Sequence, residues 1–194
     1  MRTSRRVAMS LAVVIASIGI ANANAGVPMI FVALPEMLVA LLPIVALEAF
    51  VLSRRLALPF LRSVRATAIS NVASTIVGLP ITWLLLVAAQ MITGGGTAHG
   101  IETRSQKLLA VTWQAPWLIP YETEMHWMIP AAELVLLVPF FLASFVIEAA
   151  VNEKLLAAAN WQSVRRATLQ ANALSYGLLA LLVIGMLFDA LRNG

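Results

Sequence analysis

The sequence predicts an all-α polytopic membrane protein: four transmembrane helices form two tandem helical hairpins with a parallel pseudo-two-fold repeat, after an N-terminal signal-like helix. Three observations predict it. The chain of 194 residues is 61% hydrophobic and 11% charged, with a mean hydropathy of +0.90. A soluble domain of this length needs far more polar surface. Four continuous apolar runs, 27–52, 67–92, 127–151 and 167–188, reach the ~20 residues that cross a ~30 Å hydrocarbon core. Their continuity, rather than alternation, excludes a β-barrel. Third, the two halves repeat one another at polar positions within and beside those runs.

The chain opens with Arg2, Arg5 and Arg6, an apolar stretch from Val7 to Ile20, and then Ala21-Asn22-Ala23-Asn24-Ala25. A basic start, a short apolar run and a small-x-small end form a signal peptide pattern over 1–25, with cleavage expected after Ala25. A retained short helix is the alternative. The first hairpin follows over 27–92. Its first span contains Glu36, Pro43 and Glu48, and its second carries small residues every four positions: Ala66, Ser70, Ser74 and Gly78. Residues 93–126 form an outer loop, too long for a mere linker. Gly94-Gly95-Gly96 opens it, Ile101 to Trp113 is expected to form a short surface helix, and Trp113, Trp117, Tyr121 and Trp127 crowd its end. Such aromatics concentrate at the headgroup level, or serve as an interface with another membrane protein. The second hairpin occupies 127–191, with Glu133, Pro139 and Glu148 in its first span and Ala167, Ala171, Asn172 and Ser175 in its second.

The repeat is explicit. Glu48-Ala49 recurs as Glu148-Ala149, Ser63-Val64 as Ser163-Val164, and Arg65-Ala66-Thr67 as Arg166-Ala167-Thr168. Asn71 recurs as Asn172 and Ser74 as Ser175; the spacing is 100 up to Val64 and 101 afterwards. Glu36 with Pro43 resembles Glu133 with Pro139. A two-span unit keeps its orientation when duplicated, so the axis relating the copies runs along the membrane normal. The proline in each first span is expected to kink it or open its hydrogen-bond ladder. The small-residue stripes let helices approach closely, and the adjacent Asn71 and Asn172 can hydrogen-bond across. The second and fourth spans are therefore expected to pack together across the axis. On this reading Ser70, Asn71, Ser74, Gly78, Ala171, Asn172 and Ser175 are a packing set.

Charge reports orientation. Arg54, Arg55, Arg62, Arg65, Lys154, Arg165 and Arg166 flank the two short connections, against Arg104, Lys107 and Arg192 on the other side. By the positive-inside rule the short connections are cytoplasmic, and the long loop and C-terminus face outward from a plasma (inner) membrane. Nothing in the charge pattern points to nucleic acid.

The four intramembrane carboxylates are the candidate functional groups. Glu48 and Glu148 lie close to the inner helix ends and are expected to reach water and bridge to Arg54, Arg55 or Lys154; a proton or cation site is the sharper alternative. Glu36 and Glu133 lie deeper, and each is expected to bond backbone freed by the neighbouring proline or to relay protons. Absence of cysteine removes disulfides, iron–sulfur clusters, c-type haem and thiol catalysis. His99, Glu102, Glu122, Glu124 and His126 have metal-ligand chemistry, but their spacing fits a solvated loop. No catalytic residue, metal or cofactor is expected. The functional expectation is a non-enzymatic accessory, scaffold or assembly subunit that contacts lipid and a protein partner or a second copy of itself. A small proton- or cation-coupled transporter or channel using Glu36, Glu48, Glu133 and Glu148 is the alternative.

Overall fold

The computed structural model describes residues 29–94, 100–117, 124–157 and 159–193, with side chains of the first helix from Met37 onward. The signal-like segment, Tyr121, His99, Glu122 and the side chain of Glu36 lie outside the described residues. The chain forms α1 (Met29–Leu56), α2 (Phe60–Ala73), a π-helical turn (Ser74–Gly78), α3 (Leu79–Gly94), α4 (Arg104–Thr112), α5 (Met125–Leu155) and α6 (Trp161–Asn193). Four helical stretches are long and apolar enough to cross a membrane: Met37–Leu56, Phe60–Thr93, Met125–Leu155 and Trp161–Asn193. The second is α2, the π turn and α3 stacked end to end.

The helices extend beyond the apolar runs that announce them. α2 starts at Phe60, where the Pro59 carbonyl accepts from Arg62 and Ser63. α6 starts at Trp161, where Asn160 Oδ1 accepts from the backbone of Gln162 and Ser163, an N-cap arrangement. Arg62, Arg65, Arg165 and Arg166 therefore ride on helices as exposed side chains, rather than in loops. α1 ends with Ala57 at φ 49° and a bond from Leu58 N to Ser53 O, the six-to-one closure of a Schellman motif. The outer helix is shorter than expected. Thr103 caps it by accepting from Gln106 N, while Gln106 Oε1 accepts from Thr103 N, so α4 begins at Arg104 instead of Ile101.

α1 packs against α2 and α6, and α5 packs against α2, the π turn and α6. The four spans thus form a ring in which α2 and α6 stand on one diagonal. The expected direct packing of the second span on the fourth is replaced by packing of each on the first and third. The reason is chemical: the donors on α2 and α6 need acceptors, and those acceptors sit on α1 and α5. Ala66, Ala167 and Ala171 still meet around Leu52, Leu156 and Val164 near the short-connection end.

The interior is polar and small, and the exterior apolar and large. Glu48, Thr67, Ser70, Asn71, Ser74, Glu148, Asn152, Thr168, Asn172 and Ser175 are buried, whereas Val39, Leu42, Leu85, Ile92, Phe188 and many like them are exposed. Lipid supplies no hydrophobic force to drive large side chains inward, so close backbone approach and interhelical hydrogen bonds take over. α1 and α5 run unbroken through Pro43 and Pro139. A π-helical turn precedes a third proline, Pro80. That residue has no N–H to return to Ile76, and Leu79 N bonds Ser74 O in the wider register.

Candidate functional site: a buried carboxylate pair

Helical spacing puts Glu48, Ala49 and Leu52 on the inward face of α1, and Glu148, Ala149 and Asn152 on that of α5. Glu48 is 1% exposed and Glu148 2%, which rules out carboxylates that reach water beside the loop arginines. The sequence expectation is corrected on that point. Arg54 points off the opposite face and lies over the Phe50 ring, 5.2 Å from its centroid.

Each carboxylate is held by two helices. Asn71 Nδ2 donates to Glu48 Oε2 at 2.6 Å, and Ser175 Oγ donates to Glu48 Oε1 at 2.6 Å. Asn172 Nδ2 donates to Glu148 Oε2 at 2.8 Å, and Ser74 Oγ to Glu148 Oε1 at 2.9 Å. Asn71 and Ser74 are three residues apart on one helix, as are Asn172 and Ser175, so each pair sits one turn apart on a single face. The first residue of each pair serves the nearer carboxylate in sequence, and the second serves the other. Hydrogen bonds to ionisable groups of this kind are the stronger ones.

The remaining packing residues have simpler surroundings. Ser70 Oγ returns to Thr67 O within α2, and Ala171 is buried in the apolar cluster beside Leu156 and Val164. A Cβ at Gly78 would stand 3.0 Å from Ile147 Cδ1, so this glycine sets the approach of the π turn to α5. Glu133 is half-buried on α5 between Ala132 and Leu136, which belong to a separate apolar cluster with Ala115. The structure does not bring it to the Glu48–Glu148 centre: it lies 15 residues, roughly 22 Å of helical rise, from Glu148.

Sequence reading missed the neighbours that extend the centre. On α5 and α6 three polar pairs follow one another like rungs. Ser144 and Tyr176 meet at 2.8 Å, Glu148 and Asn172 at 2.8 Å, and Asn152 Nδ2 donates to Thr168 Oγ1 at 3.2 Å. The signal was present as four-residue spacing of Ser144, Glu148 and Asn152 against Thr168, Asn172 and Tyr176. Phe141 closes the Tyr176 end edge-on, with centroids 5.4 Å apart.

The outer aromatics are partly turned inward. Trp117 Nε1 donates to Gln90 Oε1 at 2.8 Å, and Trp83 Nε1 to the Pro116 carbonyl at 2.9 Å, with the two rings edge to face. Trp127 donates to Glu124, and only Trp113 of the described set is exposed. Lys107 Nζ also bonds Glu124, at 2.6 Å, tying α4 to the start of α5, where Ala110, Val111 and Met128 pack together. Those Lys107 and Trp127 bonds hold the Glu124 carboxyl below the usual carboxylate range. Glu124 is thus engaged with a lysine and an indole in the position where a metal ligand was considered.

Comparison with protein-family models, curated proteins and solved structures finds no match to this chain.

Proposed function

We propose that the chain is a non-enzymatic accessory, scaffold or assembly subunit of the plasma (inner) membrane, built by tandem duplication of a helical hairpin. The observation that carries this reading is the capping of both buried carboxylates by interhelical donors. The recurring polar residues hold helices together, leaving the broad apolar wall as the surface for contact. Within the most apolar 18-residue stretch of each span only 11–22% is buried within the chain, so most of that wall is available to lipid or a partner.

The exchange of partners supports the duplication. Glu48 takes Asn71 from its own half and Ser175 from the other; Glu148 takes Asn172 from its own half and Ser74 from the other. A two-fold axis generates that reciprocity. Burial supports it as well. Ser63, Ala66, Thr67, Ser70, Asn71 and Ser74 match Val164, Ala167, Thr168, Ala171, Asn172 and Ser175 at a constant spacing of 101. Glu48, Ala49 and Leu52 match Glu148, Ala149 and Asn152 at 100, so the extra residue falls in the connection. The identity of Ser63 with Ser163 is out of helical register, since Ser63 is buried and Ser163 exposed.

The signal-like start and the seven basic residues at the short-connection end support the orientation with that end cytoplasmic. A second reading, a proton- or cation-coupled transporter or channel, draws on the polar rungs between α5 and α6. The four donors closed onto Glu48 and Glu148 count against an open pathway. Purification in mild detergent followed by native mass spectrometry tests the accessory reading. A retained partner or a stable homo-oligomer is expected; a strictly monomeric chain with nothing co-purifying overturns it.

A further inference from the structure

The Glu48–Glu148 centre has features that helix packing alone does not use. Because the second span (Asn71 on α2, Ser74 in the π turn) and α6 each donate once to both carboxyls, the two acids are brought side by side. The groups donating to them are amides and hydroxyls. Among the described residues, Tyr176 on α6 is the other titratable group near the pair, while the arginines of α1, α2 and the start of α6 are exposed. Two contacting carboxylates with no cation beside them repel unless something positive lies between them.

A separate observation concerns the adjacent amides. Asn172 turns Nδ2 to Glu148, and the Oδ1 on the same planar group is buried without a protein partner. Asn152 Oδ1, on the next rung toward the short-connection end, is likewise buried and unpaired. Buried carbonyl oxygens of this kind are rare and are ordinarily satisfied by ordered water. In the first half Leu52 occupies the place of Asn152 with the same burial, and the unpartnered buried oxygen among its described residues is Ser63 Oγ.

We propose that Glu48 and Glu148 form a one-proton site, in which a single exchangeable proton bridges the carboxyls and water held by Asn172 and Asn152 relays it. On loading, an O–H bond forms at one carboxylate as the adjacent water gives up a proton. That water regains one by exchange with solvent, and unloading runs in reverse without electron transfer. The Ser144–Tyr176 rung and the Phe141 ring close one end, and the apolar cluster of Leu52, Leu156 and Val164 closes the other. Both ends are closed, so the proton locks the four spans instead of crossing the membrane.

Infrared difference spectroscopy of the full chain in lipid, with exchange from H2O to D2O, tests this. The wild type should show a protonated-carboxyl band that shifts in D2O; Glu48→Gln and Glu148→Gln should each move its frequency, and the double variant should abolish it. The Glu36→Gln/Glu133→Gln variant should keep it. Asn152→Leu should keep the band but slow its deuterium shift about tenfold, the rate equivalent of losing one modest hydrogen-bonding step. Leucine already fills the matching position of the first half, so that variant keeps the packing. Absence of the band in the wild type, an unmoved band in both single glutamine variants, or its survival in the double variant overturns the site. Unchanged exchange in Asn152→Leu overturns the route. Should the glutamine variants fail to fold, the wild-type band and the Asn152→Leu exchange rate still decide.

Discussion

At the residue scale, what matters is which buried polar atoms have partners. Ser74 and Ser175 perform the same task for opposite carboxylates, at 2.9 and 2.6 Å. Ser74→Ala and Ser175→Ala should therefore destabilise alike, each by about 1 kcal/mol, within the range for interhelical bonds in membranes. Denaturant titration in mixed micelles measures this, and a loss confined to one of them contradicts the reciprocal arrangement. Glu124 offers a pH test outside the spans. Its folded-state value is depressed, first by the Lys107 bond and then by Trp127, so the contact stabilises above the ordinary carboxylate range. That contribution is lost as pH falls through the depressed value. Hydrogen-exchange protection over Arg104–Thr112, relative to the intrinsic rate, should fall on acidification, and Lys107→Met should move the change to higher pH. Exchange that ignores both acid and the substitution removes the tie between α4 and α5.

At the element scale, glycine and proline act according to what stands beside them. Gly78 lies in the π turn with Ile147 Cδ1 at 3.0 Å from an added Cβ, whereas an added Cβ at Gly177 meets nothing within 4 Å. Gly78→Leu should cost about 1–3 kcal/mol through overpacking, while Gly177→Leu should cost almost nothing. Thermal unfolding of the two purified variants separates them, and equal losses would contradict close packing of the π turn on α5. Prolines behave less uniformly than their positions suggest. Pro43 and Pro139 sit inside continuous helices, while Pro80 accompanies the widened turn. Nothing in the residue type separates these cases; the neighbouring Gly78 and its contact with α5 do.

At the scale of the whole molecule, the charged residues and the exposed apolar wall set its relation to the membrane. The chain lacks cysteine, so single reporters can be placed cleanly. Ser105→Cys on α4 and Ala157→Cys in the second short connection occupy exposed positions near opposite ends of the bundle. An impermeant maleimide should label Ser105→Cys in intact cells and Ala157→Cys only after the inner face is opened. Labelling of both from one side would break the proposed orientation. The same chemistry explains the inverted interior. Large apolar side chains gain nothing by leaving lipid, so Ala, Ser, Thr and Asn occupy the seams and Leu, Ile and Phe the wall.

The sequence by itself determined that the chain is helical, that four of its segments can cross a membrane, and that Glu48, Asn71 and Ser74 have counterparts in Glu148, Asn172 and Ser175. Those properties are local: continuous hydropathy decides span length, and repetition is visible without coordinates. Only the tertiary structure decided what the polar residues bond. Distance along the chain suggested that Glu48 belonged to the nearby arginines, yet its partners are Asn71 and Ser175, the latter 127 positions away. Facing is a property of the ring of helices, and a carboxylate near a helix end can turn inward as readily as outward. The diagonal placement of α2 and α6, and the polar rungs between α5 and α6, follow from that ring. Pairing across it is a relation between faces, and no single segment encodes both.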